Sequence, residues 1–324
     1  MTTIPVSPEF WVEYNAFDFP SSIVSSGELT FRTDDLAHAL FTTGRAPADR
    51  FRYGRASTWE WLHRASLIPA YLRRGHDGGL TRSRLAAELD RSELVGLSYA
   101  LGTAMTAIFC DQVLGVSHLL HIDRYASTYG VDFSPGRKRA DLIGRSPSGW
   151  VVAEARGRSR AMERALRTKL VEQKRTVRSI ESTPPWLALG CVASFPNGRD
   201  MVVDAFDPEE PAEDAVVLDQ LTRDKYLYAY YLPFLEAIEA GDRPARVSNT
   251  LVEEAHFGGF GVKVGILHEI ADLVRDHASS GRTIGLGEQI DHCIDSARER
   301  GIEMLRDGSL VEADWADAML GEQG

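Results

Sequence analysis

The chain has 324 residues, 44% apolar and 26% charged, with a net charge of −11, enough for one large or two modest cores of ordinary globular makeup. Its first residues, MTTIPVSPEFWVEY, lack the basic start and apolar stretch of a secretory leader, and the longest apolar run, residues 97–109, is too short to cross a bilayer. Three widely spaced cysteines, Cys110, Cys191 and Cys293, have no metal-ligand spacing and fit buried thiols, so a cytoplasmic protein without a membrane partner is expected.

Residues 1–90 read as a mainly helical accessory region. Thr33, Asp34 and Asp35 form a helix start before Leu36, Ala37, Leu40 and Phe41, and residues 57–72 give a second helix rich in Trp and Leu. Residues 92–115 form a long apolar pattern with interleaved Gly and Ala, a helix that packs on a sheet. Residues 117–123 follow as a strand, in which His118 and His121 face opposite sides and do not chelate together.

The most informative stretch comes next. Residues 139–144 and 150–156 are two apolar strands joined by a Ser-Pro-Ser-Gly turn, residues 146–149. Pairing Arg145 with Trp150 across that turn sets Asp141 opposite Glu154. Two carboxylates so placed repel unless a cation lies between them, and a hard divalent metal is the usual solution. The surroundings are basic: residues 136–178 hold 13 Lys or Arg against four Asp or Glu, the footprint of a phosphate-bearing ligand inside an acidic protein. Lysine is scarce, only five against 31 arginines, and three of the five fall in this region.

Ser159 caps a helix expected through about Ser179, stopped by Thr183-Pro184-Pro185, and residues 186–195 and 201–206 are further strands. Residues 207–214, acidic and Pro-containing, read as a linker. Beyond it the chain reads as mainly helical: residues 221–239, interrupted near Pro233, then about 264–277, then 285–305. The Gly258–Gly261 run lacks the Lys-Ser/Thr of a P-loop and reads as a turn, and His292 beside Cys293 and Asp295 lacks a second ligand pair.

The order helix, strand, strand, strand, helix, strand over residues 92–206, with Asp141 on one strand and Glu154-Ala155-Arg156 on the next, resembles the PD-(D/E)XK nuclease superfamily. The resemblance implies an α/β fold with a restriction-endonuclease-like αβββαβ core at residues 91–206, between mainly helical extensions at 1–90 and 207–324. It implies Asp141, Glu154 and the Ala155 carbonyl as ligands of Mg²⁺ or Mn²⁺, with Glu93 as an extra acid for which Asp111 and Asp123 compete. Ala140 stands where the family often has Pro, and Arg156 where it has Lys. Arginine binds phosphate through a planar fork but cannot accept a proton. Lys169 and Gln173, on one side of the expected helix, are candidates for a migrated role. Arg137, Lys138, Arg139, Arg158 and Arg160 are the candidate phosphate contacts. The expected function is a metal-dependent nuclease acting on DNA in bacterial defence or repair, with a homodimer or a regulatory protein as a further partner. The alternative is a nuclease fold without catalysis that binds nucleic acid or protein.

Overall fold

A computed structural model describes residues 7–44, 53–125, 140–162, 177–198, 200–207, 215–241, 246–247, 251–280 and 284–320. The chain divides into two compact units: Met1–Arg45, Arg64–Gln220 and Trp315–Gly324 in one, Ala46–His63 and Leu221–Asp314 in the other.

The first unit contains β1 (Glu9–Phe17), β2 (Ser26–Arg32), α1 (Thr33–Thr42), the latter part of α2 (Ala56–Tyr71), β3 (Leu72–Arg74), β4 (Leu80–Arg82), α3 (Arg84–Glu88) and α4 (Arg91–Leu114). It continues with β5 (Leu119–His121), α5 (Ile122–Tyr125), β6 (Leu142–Ser146), β7 (Gly149–Arg158), β8 (Val177–Ile180), β9 (Leu187–Ser194), β10 (Val202–Phe206) and β11 (Val216–Leu218). Seven of these strands form one mixed sheet in the order β2-β1-β10-β9-β7-β6-β5. The β1–β10 and β7–β9 pairs are parallel and the remaining pairs antiparallel.

Two expectations for this unit need correction. The amino-terminal region is not a helical accessory, because β1 enters the main sheet. Phe10, Val12, Tyr14 and Ala16 are buried while Glu9, Glu13 and Phe17 are exposed, a period of two that a strand buries on one face. That strand pairs with β10 from Glu13↔Val202 to Phe17↔Phe206, contacts separated by almost the whole unit in sequence. The helix expected over residues 159–179 lies mostly outside the described residues, and its end is a strand. Val177–Ile180 pairs in parallel with β11, burying Val177 and Ile180.

Helix α4 agrees to within a residue with the helix expected over 92–115, and, although its apolar run at 97–109 was read as too short, by length and composition the whole helix could cross a bilayer. In this unit 61% of that apolar window is buried, and the helix packs across β7 and β9. Asp90 caps its start, accepting N–H bonds from Ser92 (2.7 Å) and Glu93 (3.0 Å), and Gly115 ends it at φ +69°. Two glycines set the distance between helix and sheet. A Cβ on Gly102 would come within 2.4 Å of the Arg156 backbone, and one on Gly157 within 1.6 Å of the Ser98 carbonyl oxygen. Helix α4 therefore covers the face of β7 that bears Gly157, leaving Glu154, Arg156 and Arg158 on the other.

The second unit holds α6 (Arg223–Ala240), β12 (Arg246–Val247), β13 (Val252–Phe257), β14 (Val262–Leu267), α7 (His268–Ser280), α8 (Leu286–Glu299) and β15 (Ser309–Ala313); α9 (Ala316–Leu320) returns to the first unit. Its four strands form a sheet ordered β12-β13-β14-β15. The carboxy-terminal region is thus mixed rather than mainly helical. Residues 264–267, expected in a helix, are strand, because Val262, Val264, Ile266 and Leu267 are buried between β13 and β15. Helix α6 runs through Pro233 instead of breaking there. The Phe257–Gly261 run is the turn expected, with Gly261 at φ +63°. All three cysteines are free and buried.

Candidate functional site

The β6–β7 hairpin brings the two motif carboxylates together. Its register pairs Arg145 with Trp150 and Leu142 with Ala153 across a turn of Pro147 and Ser148. Asp141 precedes β6 by one residue, and its Oδ2 accepts the Ala155 N–H at 3.1 Å. Its own carbonyl accepts the Ile122 N–H at 2.9 Å, tying the site to the short helix that carries Asp123.

The cation between the two carboxylates is supplied by the chain itself. Arg156 Nη1 lies 3.1 Å from Asp141 Oδ2 and donates to the Ala155 carbonyl at 2.9 Å, while Nη2 contacts Glu154 Oε1. The Glu154 side chain is fully buried, whereas those of Asp141 and Arg156 retain 19% and 29% exposure. Within the described residues, neither Glu154 oxygen has a hydrogen-bond donor of good geometry. Burial, and then the Asp141 charge, push the Glu154 carboxyl up to about 8 despite Arg156. Burial also raises Asp141, with Arg156 and the Ala155 N–H opposing and Asp123 adding a small upward push. Burial and the Asp141 charge thus disfavour the ionised form of Glu154 beside a second carboxylate.

The donor set, two carboxylates and the Ala155 carbonyl with Asp123 in electrostatic range, is oxygen-rich and fits a hard divalent cation. Arg156 lies in that set, so a cation would require its partly exposed side chain to swing aside. Glu93, expected as an extra acid, serves as a cap instead: it is exposed, and its Oε2 accepts the Asp90 N–H at 3.1 Å. Asp111 lies near the other end of α4, nine residues beyond Gly102. Arg158 and Arg160 are exposed at and just beyond the end of β7. Arg137, Lys138, Arg139, Lys169 and Gln173 lie outside the described residues.

The sheet adds polar groups that the motif reading missed. Across it, Arg156 lies opposite Val192, Val192 opposite Asp204, and Asp204 opposite Asn15. Partners in register share a face, so Asn15 and Asp204 lie on the same side as Arg156. Asn15 Nδ2 donates to Asp204 Oδ1 at 3.0 Å, and burial raises the Asp204 carboxyl. Strand parity carried this signal, but only with the β1–β10 pairing in hand.

A second cluster, also missed, lies in the second unit: Glu253 on β13 with His268 and Asp272 on α7. Glu253, 5% exposed, accepts His268 Nδ1 at 2.6 Å and both Arg275 terminal nitrogens, at 2.8 and 2.5 Å. His268 Nε2 is 3.3 Å from Asp272 Oδ2. The His-x3-Asp-x2-Arg spacing on one helical face was its sequence signal. Its nitrogen and oxygen ligands fit a transition metal, but Arg275 already compensates the buried carboxylate.

The fold and site together define a mixed α/β protein with an acidic pair at one edge of a hairpin. Compared with protein-family models, curated proteins and solved structures, the chain matches none.

Proposed function

We propose that the first unit is a metal-dependent nuclease of the restriction-endonuclease-like type, hydrolysing phosphodiester bonds of DNA. One observation carries the reading: a fully buried glutamate faces a second carboxylate across a hairpin, with a backbone carbonyl beside them. Burial without a hydrogen-bond network costs stability, and such a pair is retained where its charge is used. The run α4, β5, β6, β7, β9 supports the αβββαβ reading, with residues 163–176 outside the description.

In this reading Asp141, Glu154 and the Ala155 carbonyl hold Mg²⁺ or Mn²⁺, which supplies Lewis acidity and charge neutralisation at the phosphate. Arg156 leaves the carboxylates and forks onto a phosphate oxygen pair, and Arg158 and Arg160 extend the contact along the strand. With Asp141 and Glu154 taken up in holding the metal and Arg156 unable to accept a proton, none of the three would serve as general base, and the attacking water would give its proton to solvent or to a group outside this set. A role in bacterial defence or repair, and a homodimer or regulatory partner, belong to the same proposal.

A second reading has its own observation. Arg156 bridges both carboxylates, as a permanent counter-ion would in a nuclease fold that has lost catalysis and binds nucleic acid or protein. Incubating linear, circular and single-stranded DNA, and RNA, with Mg²⁺ or Mn²⁺ separates the two. The nuclease reading expects metal-dependent cutting that EDTA abolishes and that Asp141→Ala or Glu154→Ala lowers by at least about a hundredfold, the scale of losing one transition-state-stabilising group. Cutting by Arg156→Lys alone would identify a disarmed scaffold. No cutting by either, from folded protein, would leave the binding module.

A further inference from the structure

The basic footprint read from the sequence centres on residues 136–178, yet a built cationic pocket lies elsewhere in the same unit. An open pocket of about 410 Å³ is lined by Arg73, Arg74, His76, Thr81, Arg82 and Leu320. Arg73 and Arg74 end β3 and Arg82 ends β4, so a hairpin of three residues per strand gathers three guanidiniums. The connecting loop is fixed from both sides. Gly75 and Gly79 are joined by a 2.8 Å backbone bond, the Trp11 Nε1–H donates to the Asp77 carbonyl at 2.8 Å, and the Trp11 ring fills the space beside Gly78.

Among the described residues, what holds Arg74 and Arg82 is neutral. Arg82 Nη2 donates to the Gly198 carbonyl at 2.8 Å, its guanidinium lies 4.8 Å from the centre of the Phe195 ring, and its buried Nε has no acceptor among the described residues. Arg74 Nε donates to the Glu9 carbonyl at 2.8 Å. Arg73 Nη1 donates to the Pro69 and Leu72 carbonyls at 2.8 and 2.6 Å. Among the described residues neither Arg74 nor Arg82 is ion-paired with a carboxylate, and Asp77 directs Oδ1 to the Gly79 N–H at 3.0 Å.

We infer that this pocket is a binding site for a phosphate monoester, recognised through the guanidinium forks of Arg74 and Arg82. Three guanidiniums in one concavity repel, and Arg74 and Arg82 are oriented by carbonyls that leave further N–H donors for a ligand. Burial lowers the Arg82 pKa, in keeping with a guanidinium that no carboxylate faces among the described residues. Arginine forks match a phosphate's oxygens two at a time, and the Phe195 stacking presets the fork's plane. The volume falls in the range of small-molecule sites, larger than a bare ion needs, so an ester is favoured over free phosphate. The phosphate can belong to a free nucleotide or to the 5′ end of a strand. The inference stands whether or not Asp141 and Glu154 cleave anything.

Binding is tested on the full chain by calorimetry with pyrophosphate, AMP, and one short oligonucleotide in 5′-phosphorylated and 5′-hydroxyl forms, without divalent metal. AMP and pyrophosphate are expected to bind, with affinity falling as salt rises. A Arg74→Gln variant should lose about tenfold, one forked contact's worth. Since Arg82 also supports Phe195 and Gly198, Arg82→Gln is paired with His76→Gln, which alters an exposed lining residue and leaves those contacts in place. A 5′-phosphorylated strand binding at least tenfold tighter than its hydroxyl form assigns the site to strand ends; AMP binding without strand discrimination assigns it to free nucleotides. No heat or stability change with millimolar pyrophosphate or AMP, or binding indifferent to Arg74→Gln and His76→Gln together, overturns the inference.

Discussion

The two carboxylate–arginine clusters are built from similar parts and behave oppositely. In each, an arginine lies between a buried glutamate and a more exposed aspartate: Arg156 between Glu154 and Asp141, Arg275 between Glu253 and Asp272. Glu154 is pushed up to about 8, whereas Glu253 is held below its ordinary value. The difference lies in what meets the oxygens. Glu253 receives two guanidinium bonds and an imidazole, and Arg275 is the largest influence on it. Glu154 has one guanidinium contact, and burial together with the neighbouring acid outweighs it. An arginine beside a carboxylate is therefore a salt bridge in one unit and only partial compensation in the other. The second cluster reads as structure and the first as a site with unspent binding capacity.

The largest expected effect follows from that contrast. Arg275→Ala leaves the buried, ionised Glu253 with only its His268 contact and should cost about 2 kcal/mol in urea unfolding at pH 7, the scale of hydrogen bonds to a charged group, since Arg275 is itself 41% exposed. Arg156→Met should cost less, about 1 kcal/mol, because Glu154 already carries much of a proton at that pH and can take up the rest. Equal losses would break the comparison. The same Arg156→Met variant should bind Mg²⁺ more tightly than the natural protein, since the competing guanidinium is gone. In both, apparent affinity should rise between pH 6 and 8 as the Glu154 proton is displaced, measurable as proton release on metal addition.

The pH dependence of stability sharpens the contrast further. Glu154 has a folded pKa near 8 against an ordinary 4.5, so its contribution is present below pH 4.5 and is lost as pH rises through about 8. Glu253 has a lowered pKa, so its contribution is present above pH 4.5 and disappears as pH falls below it. Thermal unfolding across pH 4–9 should lose its decline between about pH 4.5 and 8 in Glu154→Gln and keep it in Glu253→Gln. A decline over that range unchanged by Glu154→Gln would remove the proton from the acidic pair.

How much of this could be read from residues alone depended on distance along the chain. The Ser-Pro-Ser-Gly turn fixed the Arg145↔Trp150 register, and with it the Asp141–Glu154 encounter, because hairpin pairing is local. The apolar run of α4 was equally legible, down to the interleaved glycines, one of which, Gly102, meets the β7 backbone; the matching Gly157 on β7 was not foreseen. The alternation of Phe10, Val12, Tyr14 and Ala16 was present but overlooked, and its pairing with β10 has no local signature at all. Arg156 was placed on the right face by parity. Parity says nothing about rotamer, so the need for a cation was legible while its source, the motif's own arginine, was not. The Glu253 cluster was hidden by reading β14 and α7 as one helix, which blurred the strand that aligns Glu253 with His268.

The smallest expected effect concerns the outer acids. Asp123 pushes Asp141 upward from beside the site, so Asp123→Asn should shift the Asp141 carboxyl downward in a ¹³C carboxyl titration. Asp272, with 54% side-chain exposure, meets Arg275 in solvent, where an ion pair is worth about 0.5 kcal/mol or less. Asp272→Asn should leave the Glu253 titration where it is, because Arg275 keeps both of its bonds to that carboxylate. A clear Glu253 shift in Asp272→Asn would mean that the half-exposed aspartate orients Arg275. The second cluster would then be a coupled network like the first, rather than a closed pair with an idle neighbour.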